Sequence, residues 1–167
     1  MSNATYTEIF SHWSTMTEGL DVSTKEFYSE VEKAIEKRNI PDVKLSRMDR
    51  SEGGVFSAKR EYLRVQRKEF AFDIGAAPFG NGFFVSYWLG EVPSPLWELI
   101  LNIPGVGLLL AATFKPATYY KIDTANMFQS LVHNAVLEVI DTMSQSKGLR
   151  ALSELDKKPT MKNIFSK

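Results

Sequence analysis

The stretch "KREYLRVQRKEFAFDIGAAPFGNGFFVSYWLGE", residues 59 to 91, constrains the fold most. Its β-branched and aromatic residues recur at every second position, which is the period of a strand with one buried face. The breaks between the runs, "RK" and "FGNG", are short. An upstream run, "VKLSRMD", leads in through "RSEGG" to "GVFSAKREYLRVQ". A parallel crossover needs a dozen or more residues, so these connections dictate antiparallel neighbours. The block is therefore expected to be a meander of four strands. Asn81-Gly82 is the hairpin signal, because a type I′ turn needs two positive φ angles.

Register sorts the side chains. Turns at Arg67-Lys68 and at Asn81-Gly82 put Leu63, Val65, Phe70, Phe72, Ile74, Val85, Tyr87 and Leu89 on one face, the expected core. The other face takes Arg60, Tyr62, Arg64, Asp73, Phe84, Ser86 and Trp88. That pairing sets Tyr62 opposite Asp73 and Gly75 opposite Trp88. A one-sided sheet is expected to be plainly polar on its outer face, and this one mixes arginines, a carboxylate and aromatics. One explanation is a structural ion pair, Asp73 with Arg60 or Arg64. The other is a ligand site of Arg60, Tyr62, Arg64, Asp73 and Trp88, since arginine with Tyr and Trp suits a phosphate plus a stackable ring.

The flanks read as helices. "DVSTKEFYSEVEKAIEKRNIP" has Ser23 as cap, Glu26 at capping-box spacing, and an apolar stripe of Phe27, Val31, Ala34 and Ile35. "TANMFQSLVHNAVLEVIDTMSQSKG" is the longest helix, with Asp123 or Thr124 as cap, Phe128, Val132, Ala135 and Val139 inward, and Gly148 as its stop. Residues 1–20 are expected to be an extension or short helix, from Ile9, Trp13 and Met16. "TYYKID" suggests a fifth strand, "LRALSELDKK" a short final helix, and 157–167 a mobile basic tail. The whole is a single α+β domain over residues 1–167: an antiparallel sheet of 4–5 strands, a long C-terminal helix and an N-terminal helix.

"PLWELILNIPGVGLLLAATFKP", residues 95–116, is the most apolar stretch. Pro104-Gly105 divides it, so each half is about two turns and too short to cross a bilayer, which takes about 20 residues. An apolar helical hairpin over 95–114 is expected, acting as a lid, a subunit interface or a shallow membrane contact. Leu96, Trp97, Ile100, Val106, Leu109, Leu110 and Phe114 are its contact residues.

Composition closes off several classes. The chain has no cysteine, which removes disulfides, thiolate catalysis and cysteine-zinc sites. Its 20 basic and 20 acidic residues cancel, so a nucleic-acid partner is disfavoured and would need a local patch. Gly75 and Gly80 have P-loop spacing without the following Lys and Ser/Thr. His12 falls in the expected N-terminal extension or short helix; His133 has Asn126, Gln129 and Leu137 at helical spacing, with no carboxylate among them, and is expected to be a helix-flank residue bonded to the sheet edge or to water. No metal, cofactor or catalytic residue is assigned. The N-terminus lacks secretory features, which makes a cytoplasmic location, with or without membrane association, the default. The leading expectation is a small non-enzymatic binding or assembly protein using 95–114 for self-association, a protein partner or peripheral membrane contact. The alternative is a ligand-binding module on the Arg60/Trp88 face, for a phosphorylated or aromatic small molecule or single-stranded nucleic acid.

Overall fold

The computed structural model describes residues 6–51, 59–92 and 118–161. Their order is β1 (Glu8–Glu18), α1 (Thr24–Glu36), β2 (Val43–Ser51), β3 (Lys59–Arg67), β4 (Phe70–Phe79), β5 (Gly82–Glu91), α2 (Tyr119–Ser146) and the two-residue β6 (Thr160–Met161). The sheet runs β2-β3-β4-β5-β1-β6 with every pairing antiparallel. β2 to β5 form the expected meander. The first strand closes it from the far side, pairing with β5, so α1 carries the chain from one side of the sheet to the other. Both helices contribute to one hydrophobic core with the sheet, an α+β fold.

That core holds all eight residues assigned to the inner face, each no more than 1% exposed. The register differs from expectation by two. The β3–β4 loop is Lys68-Glu69, so Leu63 pairs with Ile74 and Val65 with Phe72. The β4–β5 loop is Gly80-Asn81, so Ile74 pairs with Tyr87. Gly80 takes φ +60° and Asn81 does not go positive, which is the glycine-first turn rather than the type I′ turn expected at Asn81-Gly82. A slip of two leaves every side chain on its face, whereas a slip of one would have inverted the sheet.

α1 behaves as its sequence implies. Ser23 accepts from the Glu26 N–H at 3.1 Å, and Phe27, Tyr28, Val31, Ala34 and Ile35 are buried. Tyr28 was not singled out by the pattern. The β3–β4 ladder ends at Tyr62 and Gly75. Where the next pair would form, the Tyr28 hydroxyl steps in, donating to the Glu61 carbonyl at 2.8 Å and accepting from the Ala76 N–H at 2.9 Å. Burial pushes this phenol up to about 12.

Three expected elements are corrected. Residues 8–18 are strand, not helix: the helical interval of Ile9, Trp13 and Met16 loses to pairing with β5. A bulge between Ile9 and Ser11 lets both Phe10 and Ser11 be buried, after which Trp13 and Thr17 are buried while Ser14 and Met16 are exposed. "TYYKID" opens α2 rather than forming a strand. Thr118 is the cap, accepting from the Lys121 N–H at 3.3 Å, so Asp123 and Thr124 lie inside the helix. "LRALSELDKK" is a turn rather than a helix. Ser153 closes it on Asp156, and Pro159 follows too soon for two helical turns. Part of the expected tail, Thr160–Met161, is the strand β6. The segment 95–114 lies outside the described residues, and with it Leu96, Trp97, Ile100, Val106, Leu109, Leu110 and Phe114.

Candidate functional site

The outer sheet face gathers the residues expected of a ligand surface. Alternation along β3, β4 and β5 brings Arg60, Tyr62, Arg64, Asp73 and Trp88 to one side. Arg64 now faces Asp73, and the guanidinium binds the carboxylate with two bonds, Nε to Oδ1 at 2.6 Å and Nη2 to Oδ2 at 2.8 Å. Arg50 adds a third at 2.9 Å. Arg64 is 5% exposed and Asp73 is 2% exposed. Burial works against the Asp73 charge, but the Arg64 hydrogen bonds and charge outweigh it, and its carboxyl is held below the usual range.

Tyr6 lies over this cluster, with the Arg50 and Arg64 guanidinium carbons 5.7 and 5.8 Å from its ring centre. Its hydroxyl donates to the Trp88 carbonyl at 3.0 Å. Burial first, and the Asp73 charge second, push the phenol far up, so it stays protonated. Gly90 makes the arrangement possible: a Cβ there would overlap the Glu8 carbonyl and come within 2.6 Å of the Tyr6 ring. Gly75 does the same for Tyr62, whose ring would lie 2.7 Å from an added Cβ. Tyr6 and Arg50 were missed by sequence reasoning. The expected β2, "VKLSRMD", stops two residues short of the observed strand and leaves Arg50 in the "RSEGG" turn, and Tyr6 falls in the stretch expected to be an extension or short helix.

The remaining candidates are more open. Arg60 is exposed, Tyr62 is half-buried, and Trp88 is 38% exposed with His12 packed on it at 4.0 Å between ring centres.

A second surface was not anticipated. α2 starts with Tyr119 and Tyr120, 82% and 80% exposed, and continues on its outward side with Met127 at 61% and Leu131 at 40%. Tyr120, Met127 and Leu131 fall at i, i+7 and i+11, one helical stripe. Lys121 in the same first turn binds Glu91, the last residue of β5, at 2.6 Å. That ion pair joins the end of β5 to the start of α2.

Surface grooves occur elsewhere, one of about 210 Å³ between α1 and α2 beside Glu30, Lys33 and Glu138, and one of about 370 Å³ beside Ile35, Ile40 and Val43. Among the described residues, no group of three or more His, Asp or Glu side chains is placed to hold a metal ion, and no helix is long and apolar enough to cross a membrane. Compared with protein-family models, curated proteins and solved structures, the chain matches none.

Proposed function

We propose that this is a small non-enzymatic assembly protein that self-associates through the outward side of α2 together with the apolar segment 95–114. The observation that carries this is the exposed Tyr120–Met127–Leu131 stripe. It begins where the chain's most apolar stretch ends, at a point pinned by the Lys121–Glu91 ion pair. Exposed apolar side chains aligned on one side of a helix are the kind of surface that marks a contact site. The outward side of the first half of α2 offers Asp123, Asn126, Ser130 and Asn134 beside the stripe. Its one lysine, Lys121, is committed to Glu91. Membrane-surface helices instead carry Lys and Arg on the polar side, so the composition favours a protein contact. With 20 acidic and 20 basic residues the chain carries no net charge to oppose contact with a second copy.

Sedimentation equilibrium tests this. The wild type is expected to be a dimer or larger and Tyr120→Glu/Met127→Glu a monomer. Both side chains are exposed, so stability should change by no more than about 0.5 kcal/mol. A wild-type monomer at 100 µM (a chosen concentration), or a variant that still associates, sinks the proposal. Flotation of the wild type with anionic vesicles would assign the same surface to lipid instead.

The outer sheet face supports a second reading, a site for an aromatic or phosphorylated ligand. Here the exposed Arg60, next to Tyr62 on the face that also carries Trp88, is the motivation. Arg64 is already satisfied by Asp73, so Arg60 is the arginine to test. Salt-sensitive binding of a labelled oligothymidylate or nucleoside monophosphate should vanish in Arg60→Ala. Binding unaffected by that change removes the reading.

A further inference from the structure

After Gly148 ends α2 with φ +71°, residues 149–161 return along β1 as a strap. Leu149 lies beside Gly19. The Asp156 carbonyl accepts from Trp13 Nε1–H at 2.6 Å. Thr160 and Met161 then pair with His12 and Ser11. Among the described residues, four polar contacts attach it to α2: the Leu149 N–H donates to the Ser144 carbonyl at 2.9 Å, and three lie further along. The Leu152 N–H donates to Asp141 Oδ1 at 3.2 Å, Lys157 Nζ lies 3.4 Å from Asp141 Oδ2, and His133 Nε2 lies 2.8 Å from the Lys157 carbonyl.

The histidine contact differs from the others. A carbonyl only accepts, so Nε2 carries the hydrogen and the neutral ring leaves its lone pair on Nδ1. That atom is buried and has no partner among the described residues. His133 is 8% exposed, set edge-on to Trp13 and Tyr87 with ring centres 5.4 and 5.5 Å away. From β1 it faces Trp13, and from β5 Tyr87. Its neighbour one turn back on α2, Gln129, is engaged with Ser11 at 3.0 Å. The strap brings the Lys157 ammonium and the Asp156 carboxylate, the latter bonded to the Ser153 hydroxyl. Asp141, two turns on along α2, is taken by Lys157 and the Leu152 N–H, and Glu154 by Lys157. Among the described residues Tyr87 Oη is also without a hydrogen bond, and Nδ1 makes none to it, so a second proton on the ring would put a buried charge where no group is placed to accept from it.

We propose that His133 is a proton-operated latch: the neutral ring holds the strap 149–161 against α2 and β1, and the protonated ring releases it, baring the β1 edge at Ser11 and His12 and the Trp13 indole N–H. The position of the imidazole agrees with this, since burial draws its basicity below the ordinary value of 6.5 despite the opposing bond to the Lys157 carbonyl. The sign follows. A base depressed in the closed form keeps that form fully stable above pH 6.5, and the closed-to-open ratio falls, by at most about tenfold per unit, as pH drops below 6.5 toward the closed-state value.

Amide exchange followed by NMR between pH 7.5 and 5.0, corrected for intrinsic rates, tests the latch. In the wild type, protection of residues 149–161 and of the Trp13 indole should fall as pH drops below 6.5, by at most about tenfold per unit, while α1 amides stay protected. In His133→Gln, whose amide N–H replaces Nε2–H without titrating, strap protection should be flat. A wild-type strap insensitive to pH, a variant that responds as the wild type does, or α1 amides that exchange along with the strap would overturn the proposal. Should His133→Gln not fold, the His133 ring resonance in the wild type decides. It must titrate below 6.5 in step with strap release, and separately from His12, whose ring packs against Trp88. Release that tracks His12 or begins only near pH 4 refutes the latch.

Discussion

At the scale of single residues the outer face is decided by Asp73. Its carboxylate sits nearly out of water, held by Arg64 and Arg50. Removing one partner of such a pair strands a buried charge, which costs about 3–5 kcal/mol, whereas replacing both partners by apolar residues is often neutral. Arg64→Ala is therefore expected to lower urea stability by that amount, and Arg64→Met/Asp73→Leu to restore most of it. The pH dependence has a definite direction. Asp73 is depressed in the folded protein, so its contribution is complete above the unfolded carboxyl value of about 3.9 and is lost as pH falls through the folded one. An acid titration of Asp73→Asn should accordingly be flatter below pH 4 than that of the wild type. Gly90 gives a sharper test of backbone contact. An alanine there meets the Glu8 carbonyl of the paired strand, and calorimetry should show a loss of about 2 kcal/mol or more.

At the scale of elements, the two helices contrast. α1 was legible because its cap, stripe and charged side all agree, and the structure keeps Ser23 as the cap. The start of α2 was not, because Tyr119, Tyr120 and Ile122 are residues that favour strands. The Thr118 cap, and the burial of Ala125 and Phe128 against the sheet, override that preference. Thr118→Ala should cost about 1 kcal/mol in thermal unfolding. Were these residues a strand, the change would cost nothing. β1 failed for a related reason. Its spacing satisfies a helix as well as a bulged strand, and only its partner β5 distinguishes them.

At the scale of the molecule, the sheet, α1 and α2 share one core among the described residues. Tyr28 ties α1 into the place where β3 and β4 part. No helix can leave that core without exposing aromatic residues. Far-UV circular dichroism and tryptophan fluorescence should therefore report one coincident unfolding transition. Separate transitions would show that α2 or the strap is an independent unit.

The sequence alone determined the antiparallel meander, the inner face of β3 to β5 and the first helix. Each follows from local periodicity and short connections, and the inner face survived a register error because side chains alternate with period two. The candidate surface was half legible. Alternation placed Arg60, Tyr62, Arg64, Asp73 and Trp88 together, while the pairing of Arg64 with Asp73 depended on a turn one residue away from its expected position. Only the tertiary structure decided that Tyr6 and Arg50 complete that cluster, that His133 meets the Lys157 carbonyl, and that an apolar stripe on α2 faces outward. Those contacts join residues 23 to 82 positions apart. No local pattern encodes such a distance; packing of the elements on one sheet does.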